Sequence, residues 1–207
     1  MATKKQIAAL GEIISNAQAM ANEKAARPEN AGTPAHLHGV QKNPNVGFIV
    51  TDGFVAVLYN EDIVCLPHDE TFDAGSIIPD LFQQQVEGNY YLVAEPFNGH
   101  VKMTEIRKLL RENAIAYKNR NVICLRTTMP DGNEIQSFFD VLNVRRAVEA
   151  VGGKPRLYIG YGKPKSGGQI GTTYRQPMPY LLVEPEDGRF NPENGYHALV
   201  MPVRVNR

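Results

Sequence analysis

Apolar positions recur at helical spacing in residues 3–23, where Ile7, Leu10, Ile13, Ile14 and Ala17 fall on one face, so the chain opens with an amphipathic helix. Pro28, Gly32, Pro34, Gly39 and Pro44 break the next stretch of chain and predict a long loop over 27–45. The pattern then turns β-like. Runs at 46–50 and 54–59 flank Thr51-Asp-Gly53, a strong hairpin-turn signal, and 63–66 predicts a third strand. Pro79 suits only a first helical turn, so a short helix is expected from about Ile78, followed by a strand at 90–94.

The same order then starts again. Ile106, Leu109 and Leu110 mark a helix over 103–113, and 121–127 and 134–141 predict strands joined by Met129-Pro-Asp-Gly-Asn133. Asn143 is the expected N-cap of a helix over 144–151 that Gly152-Gly153 ends, and strands are expected at 156–161, 180–184 and 197–205. Lys42-Asn-Pro-Asn-Val46 and Lys118-Asn-Arg-Asn-Val122 each come after a helix at the same place in the two runs. This echo predicts a duplication with a boundary near Phe97-Asn-Gly99, dividing the chain into 1–97 and 98–207.

Composition narrows the class without naming a function. The 207 residues suffice for one large domain or two small ones, and no run approaches the ~20 apolar residues of a membrane span. The first residues do not read as a secretory signal, so a cytoplasmic protein with no membrane partner is expected. Lys plus Arg match Asp plus Glu at 22 each, so any polyanion-binding surface must come from segregation of charge. Cys65 and Cys124 lie in apolar runs and are expected as small buried hydrophobes rather than a disulfide.

Phe138-Phe-Asp-Val-Leu-Asn-Val-Arg-Arg-Ala-Val-Glu-Ala-Val151, Arg156-Leu-Tyr-Ile-Gly-Tyr161, Pro179-Tyr-Leu-Leu-Val183 and Tyr196-His-Ala-Leu-Val-Met-Pro-Val-Arg-Val205 together resemble the final domain of the bacterial sliding clamp family, the β subunit of the replicative DNA polymerase. The family's closing Val-Met-Pro-Met-Arg-Leu is matched at Val200, Met201, Pro202 and Arg204, with Val203 and Val205 in place of Met and Leu. The resemblance covers 98–205, and 1–97 joins it only through the order of elements.

That resemblance implies an α/β (α+β), DNA-clamp-like fold of repeated helix-plus-antiparallel-strand modules. It implies a scaffold or processivity factor on duplex DNA rather than an enzyme, with no cofactor, and a reduced relative of the kind a phage or mobile element carries. A ring of six domains built from two-domain chains requires a homotrimer. Helices line such rings and meet phosphates without reading bases, which makes Lys102, Arg107, Lys108, Arg111, Arg145 and Arg146 the expected DNA contacts. The plain reading of the same residues is a solvated face with Glu12, Glu105, Glu112 and Glu149 among the cations. Val200, Met201, Pro202, Val203 and Arg204 are the expected docking segment for polymerase or other peptide-motif clients, against the plain reading of a terminal core strand. A clamp-fold protein-interaction module that does not encircle DNA is the alternative function.

Other chemistry is weak. Gly160-Tyr-Gly-Lys-Pro-Lys-Ser-Gly-Gly-Gln-Ile-Gly171 lacks the Gly-Lys-Ser/Thr ending and the subsequent helix of a phosphate loop. His36, His38, Cys65 and His68 are zinc-ligand types, but the His pair sits in a Pro/Gly loop, and no metal site is expected. Asp52-Gly53 and Asp131-Gly132 read as turns, and no nucleophile has a base beside it. A small zinc-binding or hydrolytic protein is the third and weakest reading.

Overall fold

The computed structural model describes residues 2–26, 39–43, 47–60, 63, 65–67, 88–97, 102–162, 178–186 and 195–205. Helix α1 (Lys4–Ala25) starts at a capping box: Thr3 Oγ1 accepts from Gln6 N at 3.3 Å, and Gln6 Oε1 accepts from Thr3 N at 2.9 Å. Its Leu10, Ile13, Ile14, Ala17 and Ala21 are buried along one stripe, as the spacing predicts. Strands β1 (Gln41–Asn43), β2 (Gly47–Thr51), β3 (Val55–Tyr59) and β4 (Asn89–Leu92) come next. Gly53 turns the β2–β3 hairpin at a φ of +84°, and Asp52 Oδ1 accepts from Phe54 N and Val55 N at 2.9 and 2.8 Å.

Helix α2 (Met103–Glu112) buries Ile106 and Leu110, and Asn113 closes it. Strands β5 (Ile115–Tyr117), β6 (Arg120–Thr128) and β7 (Glu134–Asp140) then form a meander, and β7 runs directly into α3 (Val141–Val151). The cap of α3 is Asp140 rather than Asn143. The Asp140 carboxylate accepts from Leu142 N at 2.8 Å and Asn143 N at 3.3 Å, while Asn143 is buried inside the first turn. With no loop between strand and helix, the last strand residue is the one placed to satisfy the first free N–H groups. Strands β8 (Arg156–Tyr161), β9 (Tyr180–Glu184) and β10 (His197–Val200) follow as the last elements of the described residues.

Among the described residues every strand pair is antiparallel, in a seven-stranded sheet ordered β1-β2-β3-β10-β9-β8-β4 and a three-stranded sheet ordered β5-β6-β7. The expected division into 1–97 and 98–207 does not separate the sheets, because β3 pairs with β10 and β4 with β8 across it. Nor do the echoed Lys-Asn pairs share a local structure: Lys42 and Asn43 lie in β1, whereas Lys118, at a φ of +53°, and Asn119 make the β5–β6 turn. The large sheet's inner face, including Val50, Val57, Leu181, Val183 and Ala198, forms one core with α1, α3 and the small sheet's Ile123, Leu125 and Phe139. On the outer face, Ile49, Leu58, Leu182 and Leu199 make a second cluster with Tyr90, Tyr158 and Tyr180 beside it.

The two sheets are joined at both ends. Past β4, Ala94 N donates to Arg126 O at 2.9 Å, and Thr127 Oγ1 donates to Leu92 O at 2.7 Å. Past β10, Met201 N donates to Phe54 O at 2.8 Å and Val203 N to Phe138 O at 2.7 Å. The final strand therefore ends at Val200, not 205, because the next residues leave β9 to bridge the hairpin turn and β7. In the described part of the expected 63–66 strand, Leu66 N donates back to Ile63 O at 2.9 Å in a turn, and Cys65 is exposed rather than buried, while Cys124 on β6 is half-buried. The expected helix from Ile78, His36, His38, His68 and the Gly/Lys loop beyond Gly162 lie outside the described residues. Among the described residues, no helix is long and apolar enough to cross a membrane.

Candidate functional site

Antiparallel packing of α1 on α3 sets the site. Gln6 meets Ala150 and Val151 at one end, Glu12 meets Arg145 and Arg146 in the middle, and Asn16 and Met20 approach Leu142 and Asn143 at the other. Four expected DNA contacts, Arg107 and Lys108 on α2 and Arg145 and Arg146 on α3, lie against carboxylates. Arg107 bonds Glu149 at 2.6 Å, and Lys108 lies 3.9 Å from Glu112. Arg145 bonds Glu12 at 2.8 Å, with Glu149 at 3.9 Å. Arg146 lies 3.4 Å from Glu12 and 3.7 Å from Asp52, with its side chain only 12% exposed. Lys102, at the N-cap of α2, and Arg111, in its last turn, are exposed and make no ion pair with any described residue.

Asp52 is more than a turn residue. Its side chain is 0% exposed, and besides its two main-chain bonds it accepts from Asn16 Nδ2 at 2.7 Å. Asp52, Asn16 and Arg146 thus tie the β2–β3 turn to both helices. Sequence reading missed this link because Asp before Gly has a sufficient local explanation.

Of the expected docking segment, Val200 is fully buried in β10, whereas Met201 is 43% exposed. Pro202 and Val203 are half-buried and Arg204 is exposed. Beside Met201, through its main-chain bond, sits Phe54 at 40% exposure; Leu142, in the first turn of α3, is 42% exposed. Phe54 and Leu142 line a groove of about 510 Å³ that Asn119, Arg120, Asn121, Arg145 and Arg146 also line. Neither Phe54 nor Arg120 stands out in the sequence, since each comes just after a turn and has no periodic partner. The juxtaposition exists only once α1, α3 and two turns converge.

Among the described residues, no group of three His, Cys, Asp or Glu side chains is placed to hold a metal ion. No family model, curated protein or solved structure matches the chain.

Proposed function

We propose that this chain is a non-catalytic, clamp-like interaction module that docks a protein segment at the end of its helix layer rather than encircling DNA. The observation that carries this reading is that Phe54 and Leu142, large apolar side chains exposed at 40% and 42%, line one groove, while Met201, 43% exposed, follows β10 and is bonded through its main chain to Phe54. Single exposed hydrophobes need no explanation, but apolar side chains collected beside a groove favour a partner. The helix layer supports the same choice, because the carboxylates of Glu12, Glu112 and Glu149 already neutralise cations that phosphates would need.

Duplex DNA is the second reading, favoured by Lys102 and Arg111, which are exposed at the two ends of α2 and make no ion pair with any described residue. Sedimentation of the full chain at micromolar concentration, with titration of a duplex oligonucleotide over a salt series, separates the two. The docking module is expected to stay monomeric and to bind duplex weakly at every salt concentration. A trimer whose duplex affinity falls steeply with salt would replace it with the DNA ring.

A further inference from the structure

We infer that the groove between α1, α3 and the two turns receives an extended peptide segment carrying an apolar side chain next to a carboxylate. This rests on the docking reading and gives its partner a chemistry. The groove is large enough, at about 510 Å³, for a few residues of extended chain, not for a folded domain. Phe54 and Leu142 supply its apolar wall, where a partner's side chain would remove them from water.

Charge selects the neighbour of that side chain. Arg145 and Arg146 line the groove but are already held by Glu12, Glu149 and Asp52, and Asp140 is occupied in capping α3. Arg120 is different: it is exposed at the rim and makes no ion pair with any described residue. A guanidinium without an ion pair among the described residues matches one carboxylate, in a bidentate geometry that lysine does not offer. It is too little for a nucleic-acid backbone, whose affinity comes from several phosphate contacts at once.

The rim amides point the same way. Asn119 and Asn121 flank Arg120 and are exposed, and each offers both a donor and an acceptor. An extended peptide presents N–H and C=O groups alternately and uses both functions. A phosphate only accepts, so half of each amide would go unused against it.

The probe is a random-sequence peptide display library selected against the full chain, with the recovered peptides then titrated by fluorescence anisotropy. Recovered peptides are expected to share an aliphatic or aromatic residue adjacent to Asp or Glu. Arg120→Glu should weaken them about tenfold, and changing the peptide's acidic residue to Lys should restore binding to that variant. Arg120→Ala serves as the second variant, with circular dichroism checking that both fold. Peptides without a shared carboxylate, or bound equally by both Arg120 variants, would overturn the inference. If such peptides were lost in Met201→Asp, the docking reading would survive without the groove; recovery of no peptide would remove both. Displacement of a recovered peptide by a duplex oligonucleotide, with the duplex itself lost in Arg120→Glu, would assign the groove to nucleic acid instead.

Discussion

Gln6 and Val151 join the start of α1 to the end of α3: Gln6 Nε2 donates to Val151 O at 3.0 Å and to Ala150 O at 3.2 Å. The other end of the same carboxamide completes the capping box with Thr3. One buried side chain therefore satisfies the N-cap N–H of one helix and two free carbonyls of its antiparallel neighbour.

Replacing Gln6 should cost more than a surface polar group does. Gln6→Ala removes these bonds at a buried position and is expected to lower stability by about 2 kcal/mol, read from urea unfolding. Gln6→Glu keeps the shape and the capping-box acceptor. It is nevertheless expected to destabilise as well, because a carboxylate cannot donate to Val151 O and sets negative charge at the negative end of α3. A Glu variant as stable as the parent would mean that the link between helices contributes nothing.

Asp52 and Arg146 should behave as a buried pair, unlike the surface pairs of the same layer. Asp52→Ala strips acceptors from Phe54 N, Val55 N and Asn16 and leaves Arg146 with Glu12 alone, and a loss of about 3 kcal/mol is expected. Lys108→Ala should change stability by no more than about 0.5 kcal/mol, since its partner Glu112 is one turn away in open solvent. Equal effects by thermal unfolding would show that the turn is not anchored through Asp52.

The elements whose evidence is local were legible in the sequence, and those that depend on distant partners were not. Ile106 and Leu110 on α2, and Thr51-Asp-Gly53 between β2 and β3, carry their periodicity or turn chemistry within a few residues. The pairing of β4 with β8 rests on Gly160 opposite Tyr90, a close approach of two main chains in which an added Cβ would lie 2.7 Å from Tyr90 Cα. Nothing near either residue announces the other. Arg107, Arg145 and Arg146 were expected outside the apolar stripes, yet Arg146 is nearly buried against Asp52, and the shortest carboxylate contacts of all three come from other helices. Charge patterning along one helix cannot see them. The segment after Val200 alternates like a strand and departs from one because Phe54 and Phe138 offer it carbonyls in another direction.

Tyr90 should make the fold sensitive to alkali. Burial, with the neighbouring Tyr180 adding to it, raises the Tyr90 phenol above the usual tyrosine range, and its buried hydroxyl has no hydrogen-bond partner among the described residues. The neutral phenol is thus favoured in the native state. Its contribution is fully present below the unfolded-state value of about 10 and is lost as pH rises from there toward the raised native value, because the unfolded chain releases the proton first. Tyr90→Phe is expected to flatten the fall in thermal stability above about pH 10. At neutral pH it should leave stability unchanged or slightly higher, since it deletes an unsatisfied hydroxyl. An unchanged alkaline slope would place the titrating group elsewhere.

The exposed side of α2 is where duplex binding would have to register. Reversing Arg107, Arg111, Arg145 and Arg146 together is a poor test, because Glu at 146 would face the buried Asp52 and Glu at 107 would face Glu149, and both changes threaten the fold. Lys102, Lys108 and Arg111 are exposed, and only Lys108 has an ion partner among the described residues, at 3.9 Å. Changing all three to Glu should preserve folding. If α2 faced phosphates, the variant would lose roughly 0.9 from the log-log salt slope for each contact removed. The docking reading expects instead that parent and variant bind duplex equally weakly, and that peptides held at Phe54 and Leu142 are bound by both alike. A steep slope in the parent that vanishes in the variant would mean that α2 meets DNA despite the ion pairs around it.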